Sequence, residues 1–205
     1  MIKNTLTSPD DDIVNVTTGR PPAYVVHDLL HLQDIFGDHL ELLRGRRVLD
    51  IGSGTTEMAR YLHEEYGISR AKQLDWWYDA NRHKLRRLVC VTHTKKDILH
   101  WIKKNTRYLI SGTVNDTTVG DSTQDLVTSS HLLRHFEKRE ELEKAFLEIY
   151  RILKPGGMAV IVPIHRGKVK LITSLLEAYQ INHEWIPITP EYKIEGRQFR
   201  LIITK

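Results

Sequence analysis

Val48-Leu49-Asp50-Ile51-Gly52-Ser53-Gly54-Thr55-Thr56-Glu57-Met58-Ala59-Arg60-Tyr61-Leu62-His63-Glu64-Glu65-Tyr66 is the stretch whose reading decides the fold. An apolar strand runs into a glycine turn that opens directly into an amphipathic helix. Gly52 and Gly54 remove side chains where the backbone must bend and approach a ligand closely. Thr55 and Thr56 are placed to cap the helix, Glu57 complements the positive end of its dipole, and Gly67 ends it in a left-handed conformation. Met58, Leu62 and Tyr66, with Ala59 alongside, give the helix one face that packs on a sheet.

A strand-to-helix glycine turn can hold the pyrophosphate of a dinucleotide at the helix N-terminus. Two residues oppose that use. The dinucleotide fingerprint wants a small residue three places after Gly54, where Glu57 stands. Asp50 would also set a negative charge beside two phosphates. A cofactor carrying an amino acid and a sulfonium finds the same carboxylate attractive.

Further signals follow in order. Gln73-Leu74-Asp75-Trp76 comes after the helix, and Asp75 lies about twenty residues beyond the glycines, where an acid hydrogen-bonds ribose hydroxyls. Val114-Asn115-Asp116-Thr117 and Asp125-Leu126-Val127-Thr128-Ser129-Ser130 bracket a turn. A long helix follows with Leu142, Ala145, Phe146, Ile149 and Leu153 on one stripe, closed by Lys154-Pro155-Gly156-Gly157. The apolar run Met158–Val162 then completes a strand–helix–strand unit.

From about Arg47 to Ile164 these motifs resemble the class I S-adenosylmethionine-dependent methyltransferases. The resemblance implies S-adenosyl-L-methionine as cofactor. Asp50, Gly52, Ser53 and Gly54 would surround its methionine part, Asp75 its ribose, and Trp76 its adenine. Asp116 is similar to the family's acid facing the adenine amino group, with Thr117 supplying a backbone contact. Ser129 would border the methionine and the substrate. Two positions depart from the family's pattern: Thr56 replaces a frequent third glycine, and the bulky Trp76-Trp77-Tyr78 follows Asp75. Taken singly, Asp50 also reads as a turn cap, Asp75 as a lysine's partner and Trp76 as core.

The implied fold is α/β: a three-layer sandwich with a seven-stranded, mostly parallel sheet, an antiparallel C-terminal strand and helices on both faces. The active site is expected at the carboxyl ends of the strands, beside the switch point. The 205 residues suffice for one domain. Residues 1–20 are polar and read as mobile, with the methyltransferase domain over 21–205. Within it, 21–44 form a helical cover that Gly37 breaks in two. Residues 45–165 form the cofactor core, and 166–205 a helix near Val169–Tyr179 followed by a hairpin. That hairpin joins Glu184–Ile194 to Arg197–Thr204 through Glu195-Gly196. The cover serves either as a lid over the cofactor or simply as a lining for the sheet.

Lone Cys90 cannot form an internal disulfide, no apolar run spans a bilayer and the N-terminus lacks a secretory pattern, so a cytoplasmic protein without a membrane partner is expected. The formal net charge is +4. Between Arg82 and Arg107 nine Lys and Arg face one acid, Asp97, a local +8 that leaves 4 − 8 = −4 for the remainder. Such a stretch draws polyanions, and Trp101 offers a surface on which a base can stack. The plainer reading is a solvated helical face whose lysines extend over Leu85, Leu88, Ile98 and Ile102. Ala80–Leu88 can already serve as the connecting helix.

The resemblance implies in-line methyl transfer to a nucleophile, with a small organic acceptor reacting through oxygen or nitrogen. An RNA-directed enzyme docking through Arg82–Arg107 is the first alternative, and a catalytically silent cofactor-binding protein the second. No Asn-Pro-Pro-Tyr-like or Asp-Pro-Pro-Tyr-like motif follows the fourth strand, and no second cysteine supports a two-cysteine mechanism. His131, with His135 one helical turn on, is the candidate general base. No spacing of ligand residues indicates a metal.

Overall fold

A computed structural model of the chain describes residues 14–16, 32–37, 39–53, 57–75, 88–90, 95–188 and 198–205. Seven strands form the main sheet: β1 Val48–Ile51, β2 Ala71–Asp75, β3 Leu109–Ser111, β4 Gln124–Ser130, β5 Leu153–His165, β6 Asn182–Ile188 and β7 Gln198–Thr204. Their order is β3-β2-β1-β4-β5-β7-β6. β1 to β5 run parallel, and β7 is antiparallel to both β5 and β6. The chain order reverses between β1 and β4, so the carboxyl ends of those two strands frame the switch point. The expected seven-stranded α/β architecture is the one observed.

Four helices are described: α1 Met58–Tyr66, α2 Lys95–Asn105, α3 Arg139–Ile152 and α4 Arg166–Ala178. They divide the core into two layers. On one face, Leu49, Ile51, Val127, Ala159 and Ile161 pack with Leu142, Phe146 and Ile149 of α3 and Ile172 and Leu176 of α4. On the other, Val48, Leu126, Val160 and Val162 pack with Met58, Ala59 and Leu62 of α1. Leu32, Leu40 and Leu43 cover that second face. Residues 32–36 are helical, Gly37 takes φ +61°, and a 3₁₀ turn follows at Leu40–Leu43. The break at Gly37 lies where the sequence puts it.

α1 ends as expected, with Gly67 left-handed at φ 69° and its N–H bonded to the last-turn carbonyls. Its start differs. Glu57 occupies the capping position without a side-chain bond to the helix backbone, and Thr55 and Thr56 lie outside the described residues. Gln73 of β2 reaches across instead, its Oε1 accepting the Ala59 N–H at 3.2 Å. A first-turn amide that helix geometry leaves unpaired is thereby satisfied from the neighbouring strand.

Several boundaries depart from expectation for physical reasons. Leu153 is not on the α3 stripe: the helix ends at Ile152, which is buried, and Leu153 is extended and paired with Gln124. Lys154 to Gly157 then bulge between Gln124↔Leu153 and Leu126↔Met158. Gly157 is required there, since an added Cβ would lie 2.9 Å from the Lys154 carbonyl oxygen and 3.0 Å from that of Gln124. α4 begins at Arg166, directly after β5, rather than near Val169. The β6–β7 hairpin is present, but Ile188 pairs with Gln198, so residues 189–197 separate the paired ends. The expected turn at Glu195-Gly196 lies outside the described residues.

Leu88 is part of a short strand, Leu88–Cys90, rather than the end of a connecting helix. It pairs in parallel with Val14–Val16, which lies within the stretch read as mobile. At the amino ends of the core strands, burial pushes the Asp125 carboxyl up. The Arg47 N–H (2.8 Å) and Lys154 ammonium (2.8 Å) outweigh it and hold the pKa below the usual value.

Candidate functional site

Strand register brings the site together. Gln73, Asp50 and Thr128 are paired across β2, β1 and β4, so their side chains share one face. All three are buried, Asp50 to 3% exposure. Thr128 Oγ1 donates to Asp50 Oδ1 at 2.8 Å. A carboxylate therefore sits beneath the glycine turn, oriented by a hydroxyl from the adjacent strand. Neither Thr128 nor Gln73 is among the residues singled out from sequence. Their signal is the register, which only the pairing of distant strands reveals.

Gly52 follows immediately. Its N–H donates to the Leu74 carbonyl at 2.8 Å, which holds the turn against β2. It takes φ +71°, and an added Cβ would lie 3.0 to 3.2 Å from three atoms of the Leu132 side chain. Glycine is therefore required both by the left-handed backbone and by the close approach. Leu132 lies two residues past the end of β4, so the turn after β1 and the corner after β4 are packed onto each other. Ser53 is buried beside it. Gly54 and Trp76 lie outside the described residues, and Asp75 ends β2 at the same edge of the sheet.

The corner after β4 carries His131. It is left-handed at φ 59°, half-buried, and its N–H donates to the Val162 carbonyl at 2.6 Å. The 3₁₀ turn Leu132–His135 follows. Lys168 of α4 braces this turn, its Nζ donating to the carbonyls of Leu133 (2.7 Å) and Phe136. Burial lowers the Lys168 pKa against the opposing pull of Glu137. Ser129 is buried, but strand alternation turns it toward the α3–α4 layer, away from the face of Asp50. Among the described residues its Oγ has no hydrogen-bond partner. Ser130, two places after Thr128, shares the Asp50 face and was not singled out from sequence.

The loop after β3 brings Asp116 and Thr117 to the neighbouring edge. Thr113 and Asp116 exchange backbone hydrogen bonds at 3.0 and 3.1 Å, leaving the Asp116 side chain exposed. Thr117 is buried, and both its N–H (2.9 Å) and Oγ1 (2.7 Å) donate to Glu148 Oε1 of α3. The Thr117 amide is thus committed within the protein. Arg151 grips the same carboxylate through Nε and Nη2, each at 2.6 Å, while also donating to the Val119 carbonyl at 2.7 Å and to Asp121. The Arg151 guanidinium, outweighing partial burial and helped by Thr117, lowers the Glu148 pKa to about 2.

The basic stretch is only partly within the described residues. Trp101 is 9% exposed, and Asn105 Nδ2 donates to its carbonyl at 2.9 Å. The indole is therefore inside, not available as the expected stacking surface. Lys103, Lys104 and Arg107 are exposed, with the Arg107 guanidinium 4.6 Å from the Tyr108 ring centre. Lys104 lies 3.7 Å from Glu57, which also pairs with Arg60, so the end of α2 is tied to the start of α1. Among the described residues no three His, Cys, Asp or Glu side chains cluster as a metal site would require. Likewise no described helix is long and apolar enough to cross a membrane.

A strand order reversing beside a buried carboxylate and a left-handed glycine defines a cofactor-binding α/β domain. Residues 49–161 match the family model described as a methyltransferase domain, over half of the chain, and the chain belongs to that family. Its fold is that of the class I S-adenosylmethionine-dependent methyltransferases, and S-adenosylmethionine is the cofactor this family uses.

Among curated relatives it is similar to the ubiquinone/menaquinone biosynthesis C-methyltransferase UbiE of Citrobacter koseri, 26% identical over 143 residues. That match covers 68% of this chain and 51% of the relative, so the chain spans about half the length of the curated relatives it matches. Among solved structures, a candidate S-adenosyl-L-methionine-dependent methyltransferase from Methanococcus maripaludis aligns with a TM-score of 0.60 at 20% identity, covering 90% of this chain and 86% of the other. The phosphoethanolamine N-methyltransferase 2 of Haemonchus contortus aligns at 0.57 and 15%, covering 87% and 51%.

Proposed function

We propose that this chain transfers a methyl group from S-adenosylmethionine to an oxygen or nitrogen atom of a small organic acceptor. The observation that carries the cofactor half is the buried Asp50 carboxylate under the Gly52 turn. A cationic sulfonium ligand with an ammonium group is stabilised there, while a pyrophosphate is repelled. The residues fit that group: Gly52 leaves the backbone bare at the turn, and Asp50 is already oriented by Thr128. In this reading Gly52, Ser53 and Gly54 line the methionine part, Asp75 and Trp76 the ribose and adenine, and Asp116 the adenine edge. Thr117 acts through its position, because its amide is held by Glu148. Ser129 supports the strand end from the opposite face.

When bound, the cofactor supplies an activated methyl group with a neutral thioether as leaving group. The protein then has to bind, orient and exclude water. His131, half-buried at the end of β4, is the group proposed to take a proton from the acceptor. The burial of Trp101 favours the small-acceptor reading over the RNA-docking alternative. A carbon acceptor is the second reading, favoured by the C-methyltransferase names of the curated relatives.

Isothermal titration with S-adenosylmethionine, S-adenosylhomocysteine and NAD, followed by transfer of labelled methyl to a panel of amines, phenols and carboxylic acids, tests the proposal. Binding of the two sulfur compounds with turnover on a small acceptor is the expected result. Capture of NAD instead would overturn it, and cofactor binding without turnover would support the silent cofactor-binding alternative.

A further inference from the structure

On the face of the sheet that carries Asp50, β7 places a second polar group. Ile202 pairs with Val160, which pairs with Thr128, which pairs with Asp50, so all four share a face. Arg200 and Gln198 lie two and four residues before Ile202, on the same side and toward the carboxyl edge of the parallel strands. β5 bulges opposite them: Ile161 pairs with Leu201 and Ile164 with Phe199, leaving Val162 and Pro163 facing Arg200. Ser130 pairs with Val162. Two strand spacings of about 4.8 Å therefore separate Arg200 from Ser130, roughly 10 Å along the sheet. A small molecule reacting above the ends of β1 and β4 extends that far.

The side chains here are unusual for so deep a position. Arg200 is 4% exposed, yet its Nη2 pairs with Asp34, whose side chain is 59% exposed and belongs to the helical residues 32–36. A buried guanidinium is thus met by a carboxylate that reaches in from the surface. Gln198 is 5% exposed, and among the described residues its Nε2 donates to nothing. An amide donor without an acceptor at this depth is costly unless a ligand completes it.

We propose that Arg200 and Gln198 recognise an anionic oxygen group, a carboxylate or a phosphate, on the methyl acceptor, with Asp34 occupying the position when no acceptor is bound. The inference rests on the methyltransferase reading of the site and names its substrate class. Arginine presents paired N–H donors that match both anions, and the neighbouring amide adds a third donor direction. Asp34 already displays the chemistry that Arg200 accepts. Its exposure lets it withdraw without carrying buried structure away, since Leu32 and Leu40 hold the cover to the sheet.

Thermal unfolding of the full chain saturated with S-adenosylhomocysteine, titrated with sodium phosphate or sodium acetate at ionic strength fixed with sodium chloride, tests this. One anion should raise the midpoint of the wild type. Asp34→Asn, which removes the competing carboxylate, should respond at about tenfold lower concentration, Arg200→Lys at about tenfold higher, and Arg200→Met not at all. A stronger response to phosphate assigns a phosphate-bearing acceptor, and the reverse a carboxylate.

Equal responses in the wild type and Arg200→Met, or no response in the wild type and Asp34→Asn, would overturn the inference. Should Arg200→Met not fold, Arg200→Lys decides, because it keeps the charge and loses the paired geometry. Titration calorimetry with S-adenosylhomocysteine on the same proteins separates the two layers. Failure of the wild type to bind it overturns the methyltransferase reading. Normal binding with anion responses independent of Arg200 overturns only the assignment of Arg200 and Gln198.

Discussion

Replacing Glu148 by glutamine removes the charge that ties the loop after β3 to α3. The carboxylate accepts two bonds from Thr117 and two from Arg151, all between 2.6 and 2.9 Å. Its side chain is 11% exposed, that of Arg151 35%. The pKa is held at about 2 rather than 4.5, mainly by Arg151. By linkage such a difference corresponds to roughly 3 kcal/mol of folding free energy. Water around the partly exposed Arg151 screens the pair, and about 2 kcal/mol is the more realistic contribution. In a chain of this length a loss of about 2 kcal/mol lowers Tm by roughly 4–8 °C.

The pH dependence distinguishes this mechanism from a generic packing defect. A carboxyl whose folded pKa is depressed contributes its full stability above about 4.5 and loses it as pH falls through about 2. The Tm gap between wild type and Glu148→Gln should therefore be constant from pH 7 to about 5 and narrow as pH falls further toward 2. Calorimetric unfolding of both proteins across that range is the assay. A gap under about 1 °C at pH 7, or one that does not narrow in acid, would refute the assignment. Loosening the loop that carries Asp116 should also weaken S-adenosylhomocysteine binding several-fold at pH 7.

Three further outcomes follow from the site. Gly52→Ala places a Cβ about 3 Å from Leu132 in a left-handed backbone, so it should cost roughly 2 kcal/mol and abolish cofactor binding by calorimetry. Restored binding at wild-type strength would show that the turn tolerates a side chain. Asp50→Asn should weaken S-adenosylmethionine about tenfold more than S-adenosylhomocysteine, because only the former carries the sulfonium charge; an unchanged affinity ratio would place the carboxylate away from the sulfur. His131→Gln should lower kcat by about a hundredfold while leaving cofactor affinity intact, and an unaltered rate would remove His131 as the base.

What the sequence discloses about this fold is largely what is local. The strand–turn–helix at Val48–Tyr66 is legible because an apolar strand, two glycines and a left-handed Gly67 all act within one short segment. The α3 stripe is legible through the spacing of Leu142, Ala145, Phe146 and Ile149, but its end is not. Leu153 fits the helical period equally well, and only its pairing with Gln124 makes it extended. Gln73, Thr128, Glu148 and Arg200 are polar residues in ordinary strand or helix contexts. Most of their partners lie fourteen to 166 positions away, which no local pattern encodes; Arg151, three residues from Glu148, is the exception. Trp101 misleads for the complementary reason. Its basic neighbours suggest a surface, yet Trp101 and Asn105 lie one helical turn apart on the buried side of α2, while Lys103 and Lys104 face out.

The two faces of the sheet are built to different ends. Below α3 and α4 the layer is apolar at most positions up to the top of the strands, with Ile51, Leu74, Ile161 and Ile164 reaching the carboxyl edge beside the buried Ser129. On the opposite face the apolar layer stops halfway on three strands: Val48, Ala71 and Leu126 give way, two residues on, to Asp50, Gln73 and Thr128, with Ser130 beyond, and on β7 Ile202 gives way to Arg200 and Gln198, while β5 stays apolar through Val162. Burying that many polar groups on one tier is unfavourable for a fold whose only requirement is stability. Cross-strand pairs such as Thr128–Asp50 and reaches such as Gln73 to Ala59 offset part of the cost. The remainder, concentrated at Gln198, is what a bound cofactor and acceptor would complete. The same tier fits the placement of the described residues before β1: Leu32 and Leu40 seal the apolar half, while Asp34 extends toward the polar one.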